Sequence, residues 1–312
     1  MRSSATSSPA SWSTEGRWPP EMSSDNDVTQ PTTAHIHLAR SWLFVPGDRP
    51  DRFAKAAASG ADLVVCDLED AVSAKAKTSA RAHVAEWLRS GGLACVRVNA
   101  PGTPFHVGDV AALSGLPGLR AVMVPKAEDP RVLAELSDAL GPQTAVVALV
   151  ETALGVHRAY DLAAASGVTR LAFGSIDFAL DVAAEDAQTP MLFARSTLVL
   201  ASRVAMIAFP VDGVTSALDD PSLVEADAAA ALSLGFGGKL CVHPSQVKAV
   251  NDAFSPAPED IRAARRILDG LTGEGAGRLD GRMVDAPVVE RARRMLRRAG
   301  LGPGLNHSRR WS

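Results

Sequence analysis

The residues best suited to chemistry in this chain are carboxylates and one arginine that follow short apolar runs. Glu151 follows AVVALV at 145–150 and Asp177 follows RLAFGSI at 170–176, with no His or Cys close to either. Hard oxygen donors of this kind suit Mg2+ or Mn2+ better than Zn2+, and two carboxylates leave positions for water and a chelating substrate such as a 2-oxo acid. Arg97 closes ACVR at 94–97, where its planar fork could take a substrate carboxylate or a developing enolate oxygen. Asp67, Glu69 and Asp70 cluster after LVVC at 63–66. They could orient that arginine, act directly, or form a purely structural salt-bridge cluster. Lys126, Glu128, Asp212 and His243 end other runs; His243, beside Pro244, is as readily packed as titrating.

Such residues need a scaffold that gathers them. Eight apolar, β-branched runs recur, at 41–47, 61–70, 94–101, 121–128, 145–152, 170–177, 206–214 and 238–246. Most are continuously apolar, the pattern of strands covered on both faces. Ala-rich amphipathic segments with helix punctuation lie between them. PDRFAKAAASG begins at Pro50 and ends at Gly60, and SAKAKTSARAHVAEWLRSGG opens at Ser73 and stops at Gly91-Gly92. Eight alternating units predict a (β/α)8 TIM barrel, here with a C-terminal helical extension, and the strand ends of such a barrel converge on one mouth. A doubly wound open sheet is the alternative, but Val45-Pro46-Gly47-Asp48 lacks its glycine-rich phosphate turn.

Composition excludes several function classes. The 312 residues carry 32 Lys+Arg against 35 Asp+Glu, a formal net charge of −3, and 46% are hydrophobic. That is apolar enough to bury a large core and offers no electrostatic footprint for nucleic acid. No apolar run reaches the roughly 18 residues of a membrane helix, so no membrane partner is expected. Cys66, Cys95 and Cys241 lie far apart in apolar runs without metal-ligand spacing, which predicts buried free thiols in a reducing cytoplasm. Residues 1–38, rich in Ser, Thr and Pro, read as a disordered extension in which Met22 offers an alternative initiator. The barrel is expected over 39–255, a helical cap over 256–303 and a loose tail over 304–312.

The motifs carry a resemblance. RSWLFVPG at 40–47, DLEDAV at 67–72, VRVN at 96–99, VPKA at 124–127, VETA at 150–153, GKLCVHPSQ at 238–246 and MVDAP at 283–287 stand in the order found in citrate lyase β-subunit-like CoA-ester lyases. Over about residues 39–298 the chain thus resembles the HpcH/HpaI aldolase/citrate lyase family. The resemblance implies a Mg2+-dependent (β/α)8 barrel that cleaves a 3-hydroxyacyl-CoA of the malyl-, citramalyl- or citryl-CoA type, with the CoA thioester as substrate. It implies that Glu151 and Asp177 hold the metal, that Arg97 and Glu151 meet the substrate, and that Asp67 and Glu69 serve the catalytic centre. Asp285 is implied to transfer a proton from a segment that covers a neighbouring subunit's mouth, making the protein a homo-oligomer, a trimer or a multiple of one. A helix N-cap is the alternative for Asp285. One departure stands out: Ile176 occupies the place before Asp177 where relatives often carry an acidic residue, which bears on the acyl group rather than the reaction class. A CoA-independent class II aldolase of 4-hydroxy-2-oxo acids and a non-catalytic accessory paralogue are the competing functions.

Overall fold

A computed structural model describes residues 34–270, 277–279 and 282–301 of the chain. Eight parallel strands close into a barrel in chain order. They are β1 (Ser41–Pro46), β2 (Leu63–Asp67), β3 (Ala94–Arg97), β4 (Leu119–Val124), β5 (Ala145–Val150), β6 (Val168–Phe173), β7 (Val211–Asp212) and β8 (Gly238–Cys241). Closure comes from β1 pairing with β2 on one side and β8 on the other, Trp42 facing Leu63 and Leu240 in register. The helices are α1 (Ala34–Leu38), α2 (Phe53–Ala57), α3 (Lys77–Arg89), α4 (His106–Leu113), α5 (Pro130–Leu140), α6 (Ala153–His157), α7 (Ala159–Ala164), α8 (Ser175–Asp181), α9 (Gln188–Val204), α10 (Pro221–Leu234) and α11 (Pro244–Phe254). Beyond the barrel lie α12 (Pro258–Asp269), an antiparallel hairpin of β9 (Gly277–Leu279) and β10 (Arg282–Val284), and α13 (Ala286–Arg298). The (β/α)8 expectation is therefore met, with every expected run supplying one strand.

Strand alternation sorts each run into two cores. Trp42, Leu63, Val65, Cys95, Ala121, Met123, Val147, Leu149, Ala172 and Leu240 form one buried cluster inside the barrel. Their neighbours along the strands, such as Leu43, Val64, Cys66, Val96, Val122 and Val146, pack outward against the helices in the second cluster. Both faces are dry, which is why the runs read as continuously apolar. The interior is packed with side chains rather than open as a pore. The three cysteines are free and buried, and burial pushes their thiols well above the ordinary range. Among the described residues no helix is long and apolar enough to cross a membrane.

Several expectations need correction. The disordered reading of 1–38 falls outside the described residues up to 33, but its last five residues form α1. Ile36 is 1% exposed there, and the buried Arg170 donates from Nη1 to the carbonyls of Ile36 and Ala39 at 2.9 and 2.7 Å. Arg170 Nε also donates to Phe209 O at 2.6 Å, and its guanidinium lies 5.5 Å from the Trp42 ring, so one arginine ties α1 across the N-terminal end of the barrel. Burial pulls that guanidinium down to about 9. The seventh strand is only Val211–Asp212, because Pro210 cannot donate to the ladder. The sixth strand ends at Phe173, so Asp177 sits in the first turn of α8 and not at a strand end. The C-terminal extension is not wholly helical, since it contains the β9–β10 hairpin. Residues 304–312, read as a loose tail, lie outside the described residues.

Candidate active site

The inward face of the barrel continues past the apolar residues at the C-terminal ends of the strands. Counting by twos along β2 gives Leu63, Val65 and Asp67; along β3, Cys95 and Arg97; past β5, Val147, Leu149 and Glu151. Asp67, Arg97 and Glu151 therefore point to one place, and all three line a cavity of about 490 Å3. Phe44, Asp70, Phe173, Ile176, Asp177, Val214 and Leu240 complete much of its wall.

Arg97 is locked. Its Nε and Nη2 donate to Asp67 Oδ1 and Oδ2 at 2.8 and 2.7 Å, a bidentate fork in which Asp67 is 1% exposed. Asp67 also accepts the amides of Glu69 at 2.9 Å and Ala71 at 3.0 Å. Four donors occupy this carboxylate, so Asp67 positions Arg97 and has no free lone pair to offer a substrate. Arg97 Nη1 lies 3.1 Å from Glu69 Oε2 and 3.7 Å from Asp70. Glu69 Oε2 is buried and the contact is off the N–H axis, an ion pair without a hydrogen bond. The Phe44 ring, 4.9 Å from the guanidinium carbon, fixes the remaining face. Burial works against the charged arginine, and the hydrogen bonds and charge of Asp67, then Glu69 and Asp70, raise its pKa nonetheless.

Glu151 follows β5, and its Oε1 accepts the amide of Lys126 at 2.8 Å. Lys126 holds φ +48, a left-handed backbone that aims this amide at the carboxylate, while its Nζ donates to Glu69 Oε1 at 3.0 Å. Burial pushes Glu151 up to about 8, and the like charges of Glu69 and Asp177 push the same way. Burial likewise raises Glu69, against the pull of Arg97 and Lys126. Asp177 faces the same cavity, half-buried. A divalent cation would offset the repulsion among these carboxylates. Among the described residues no group of three His, Cys, Asp or Glu makes a metal cage. Two hard oxygens with positions left over fit Mg2+ and not a closed zinc site.

Gly174, between β6 and α8, makes room for Glu151. A Cβ at this position would lie 2.4 Å from Glu151 Oε2 and 2.6 Å from its Cβ. Gly174→Ala is therefore expected to displace the carboxylate, costing about 1–3 kcal/mol of stability and weakening divalent-metal binding more than tenfold. Calorimetric titration with Mg2+ or Mn2+ measures this, and unchanged affinity would contradict the placement.

Other sequence candidates diverge. Asp212 points outward, pairing with Arg195 of α9 at 2.8 Å and lying 3.7 Å from Lys239, between sheet and helices. Lys239 Nζ donates to Gly213 O at 2.7 Å, so this buried cluster braces β7. Glu128 accepts from Thr152 Oγ1 at 2.7 Å. His243 is the N-cap of α11 and lines a neighbouring cavity of about 400 Å3 together with Arg52 and Lys55; Phe44, Pro46 and Val242 border both cavities. Asp285 does not line the main cavity. It accepts the Val288 amide at 3.2 Å as the N-cap of α13. That helix packs on α12, puts Arg294 5.6 Å from the Phe209 ring, and sends Arg298 to Phe254 O at 2.8 Å, all toward the opposite end of the barrel.

Two positioning residues escaped the sequence reading. Lys77, 8% exposed, donates from Nζ to Leu68 O at 2.8 Å and Glu69 O at 2.7 Å, clamping the acidic loop from α3. Asp109, fully buried, accepts Arg81 Nε at 2.7 Å and both the backbone and side-chain amides of Asn99 at 2.9 and 2.6 Å, fixing the chain just past Arg97. Neither has a local signal, because each acts on a residue 8 to 28 positions away. Lys77→Met should strand two carbonyls, cost about 1–3 kcal/mol, and lower turnover through the misplaced Glu69 with the metal affinity kept. Recovery of turnover in Lys77→Arg would support a positioning role; equal stability and turnover in the Met variant would exclude it.

Comparison with known proteins decides the lineage. The HpcH/HpaI aldolase/citrate lyase family model matches residues 40–244. The chain belongs to this family. A citrate lyase subunit beta-like protein of Deinococcus radiodurans is 37% identical over 279 residues, 83% of this chain and 96% of that one. An L-malyl-CoA/beta-methylmalyl-CoA lyase of Cereibacter sphaeroides is 32% identical over 302 residues, 83% of this chain and 94% of that one. Among solved structures, protein CitE of Mycobacterium tuberculosis in complex with magnesium, acetoacetate and coenzyme A superposes with a TM-score of 0.72 at 37% identity, covering 85% of this chain and 99% of that one. This HpcH/HpaI family member thus shares nearly the whole length of its relatives.

Proposed function

We propose that this HpcH/HpaI family member is a Mg2+-dependent carbon–carbon lyase acting on a 3-hydroxyacyl-CoA. The carrying observation is the cavity that faces a locked Arg97 toward the Glu151–Asp177 carboxylate pair. The relatives support the class: one is named an L-malyl-CoA/beta-methylmalyl-CoA lyase, and one structure contains magnesium, a 3-oxo acid and coenzyme A.

Glu151 and Asp177 would hold the metal, which acts as a Lewis acid toward the substrate oxygens when bound. Arg97 presents Nη1 to the substrate carboxylate and to the hydroxyl oxygen that becomes a carbonyl. In the cleavage the C3 hydroxyl gives up its proton, the C2–C3 bond breaks, and its electron pair passes to C2 and the thioester oxygen as an enolate. C3 leaves as the carbonyl of an oxo acid, and protonation at C2 gives the shorter acyl-CoA. Asp67 and Glu69 hold Arg97 rigid through this charge movement, which removes the cost of reorienting it. Arg52, Lys55 and His243, around the adjoining cavity, suit the phosphates at the far end of the thioester. Asp285 serves the protonation at C2 from a second copy in a homo-oligomer, a trimer or a multiple of one, since its own chain turns it away from the cavity.

Full-length protein should convert malyl-, citramalyl- or citryl-CoA to acetyl-CoA plus an oxo acid, and EDTA should stop the reaction. Free thiol without oxo acid would indicate hydrolysis, turnover confined to CoA-free hydroxy-oxo acids would indicate an aldolase, and none at all an accessory protein; each overturns the proposal. Mixed oligomers of inactive Glu151→Gln and Asp285→Asn chains should regain activity if Asp285 acts in trans.

A further inference from the structure

We infer that a second binding site lies at the end of the barrel opposite the mouth, and that it takes a small organic acid: one carboxylate on an alkyl or aromatic body. A cavity of about 560 Å3 opens there, with Arg40, Asp62, Ser255 and Arg298 as its polar wall. Arg40 precedes β1 and Asp62 precedes β2, so the cavity faces the N-terminal ends of the strands. It shares no lining residue with the mouth.

The ligand class follows from the charges that face this cavity. Arg40 is satisfied: Nε and Nη2 each donate to Asp62 at 2.8 Å, and Nη1 donates to Ser255 Oγ at 2.5 Å. Ser255 Oγ donates in turn to Asn251 O at 2.6 Å. Asp252, a further acid whose charge reaches Arg40, is paired with Lys248. Arg298 differs. Among the described residues it is half-buried, donates from Nη2 to Phe254 O at 2.8 Å, and pairs with no carboxylate. Burial with no acid to offset it lowers its pKa. Arg170, buried behind Ala39, adds a cation bonded to carbonyls alone. With Asp62 neutralising Arg40, one charge on the wall stays uncompensated, which suits a monoanion. A dianion would meet Asp62 and the carbonyl end of α13. The planar guanidinium of Arg298 matches a carboxylate in shape. Leu38, Pro256 and Ile261 supply an apolar wall, with Leu38 55% exposed, so an organic body on the acid would remove that surface from water. An acid seated here would bridge the α1–β1 junction, the start of β2, α12 and α13, and clamp the C-terminal extension to the base of the barrel.

The test uses the full chain in EDTA, with hexanoate as the probe and hexanol and inorganic phosphate as controls. Calorimetric titration should show saturable hexanoate binding, about 10-fold or more tighter than that of either control. Hexanoate should also raise the thermal midpoint. Arg298→Gln removes the free cation, and Leu38→Glu, at an exposed position that tolerates the change, sets an acid on the same wall. Each should weaken hexanoate binding by at least ~10-fold and abolish the midpoint rise. No turnover is read, so the outcome stands apart from the lyase reading. Absence of saturable binding, hexanol or phosphate bound as tightly as hexanoate, or affinity kept in either variant would overturn the inference.

Discussion

Glu151→Gln is expected to remove turnover almost completely while leaving the metal-free fold as stable as before, or more so. The carboxylate is 2% exposed, and its pKa is pushed from the ordinary 4.5 up to about 8 by burial and by its acidic neighbours. Between those two values the folded protein holds a proton that the unfolded chain has lost. Stability of the metal-free protein therefore falls as pH rises through this window, by on the order of a few kcal/mol in all. Glutamine keeps the shape and has no proton to lose, so the variant should lack this part of the pH slope. Its activity should drop by more than the ~10–100-fold that losing an outer partner of a metal ligand costs. Denaturant midpoints of both proteins in EDTA at pH 5.5, 7 and 8 provide the check. A variant much less stable than wild type, or one with the same slope, would show that Glu151 is a structural residue.

Arg97→Met should do the opposite, damaging both fold and function. Asp67 and Glu69 are buried, with side chains 1% and 8% exposed, and Arg97 pairs with both. Removing one partner of such a set leaves uncompensated buried charge and costs about 3–5 kcal/mol. Arg97→Lys keeps the charge but not the planar fork, so it should recover part of the stability and little of the activity. Adding Asp67→Asn to Arg97→Met should return some stability, because the stranded charge is gone; a double-mutant cycle on urea unfolding measures that coupling. Strict additivity would mean that the bidentate pair contributes nothing as a unit.

The barrel was legible because its strands are dry on both faces, which writes them as uninterrupted apolar runs. The mouth was legible because polarity breaks each run at the same end. Parity, also present in the sequence, sorts the candidates further: Asp67 and Glu151 fall on the same alternation as the inward Val65 and Leu149, whereas Asp212 falls opposite to Val211. Asp177 was placed on a strand because RLAFGSID stays apolar through Ile176; Gly174 turns the chain and a helix begins at once. Helix α1 was missed because AHIHL is too short to show a period, and its support comes from Arg170, more than 130 residues away. Lys77 and Asp109 were invisible for the same kind of reason: a buried lysine on carbonyls and a buried aspartate under an asparagine leave no spacing to read.

The arginine that pins α1 across the base of the barrel also sets an order of traffic. Among the described residues, Trp42, Ile36 and Arg170 stop the lower end and side chains fill the interior, so the cavity is a well open toward the C-terminal ends of the strands. On the proposed lyase reading, a thioester reacting beside Glu151 would trail its long arm toward the rim and leave the small oxo acid as the deeper fragment, so that the acyl-CoA would have to depart before it.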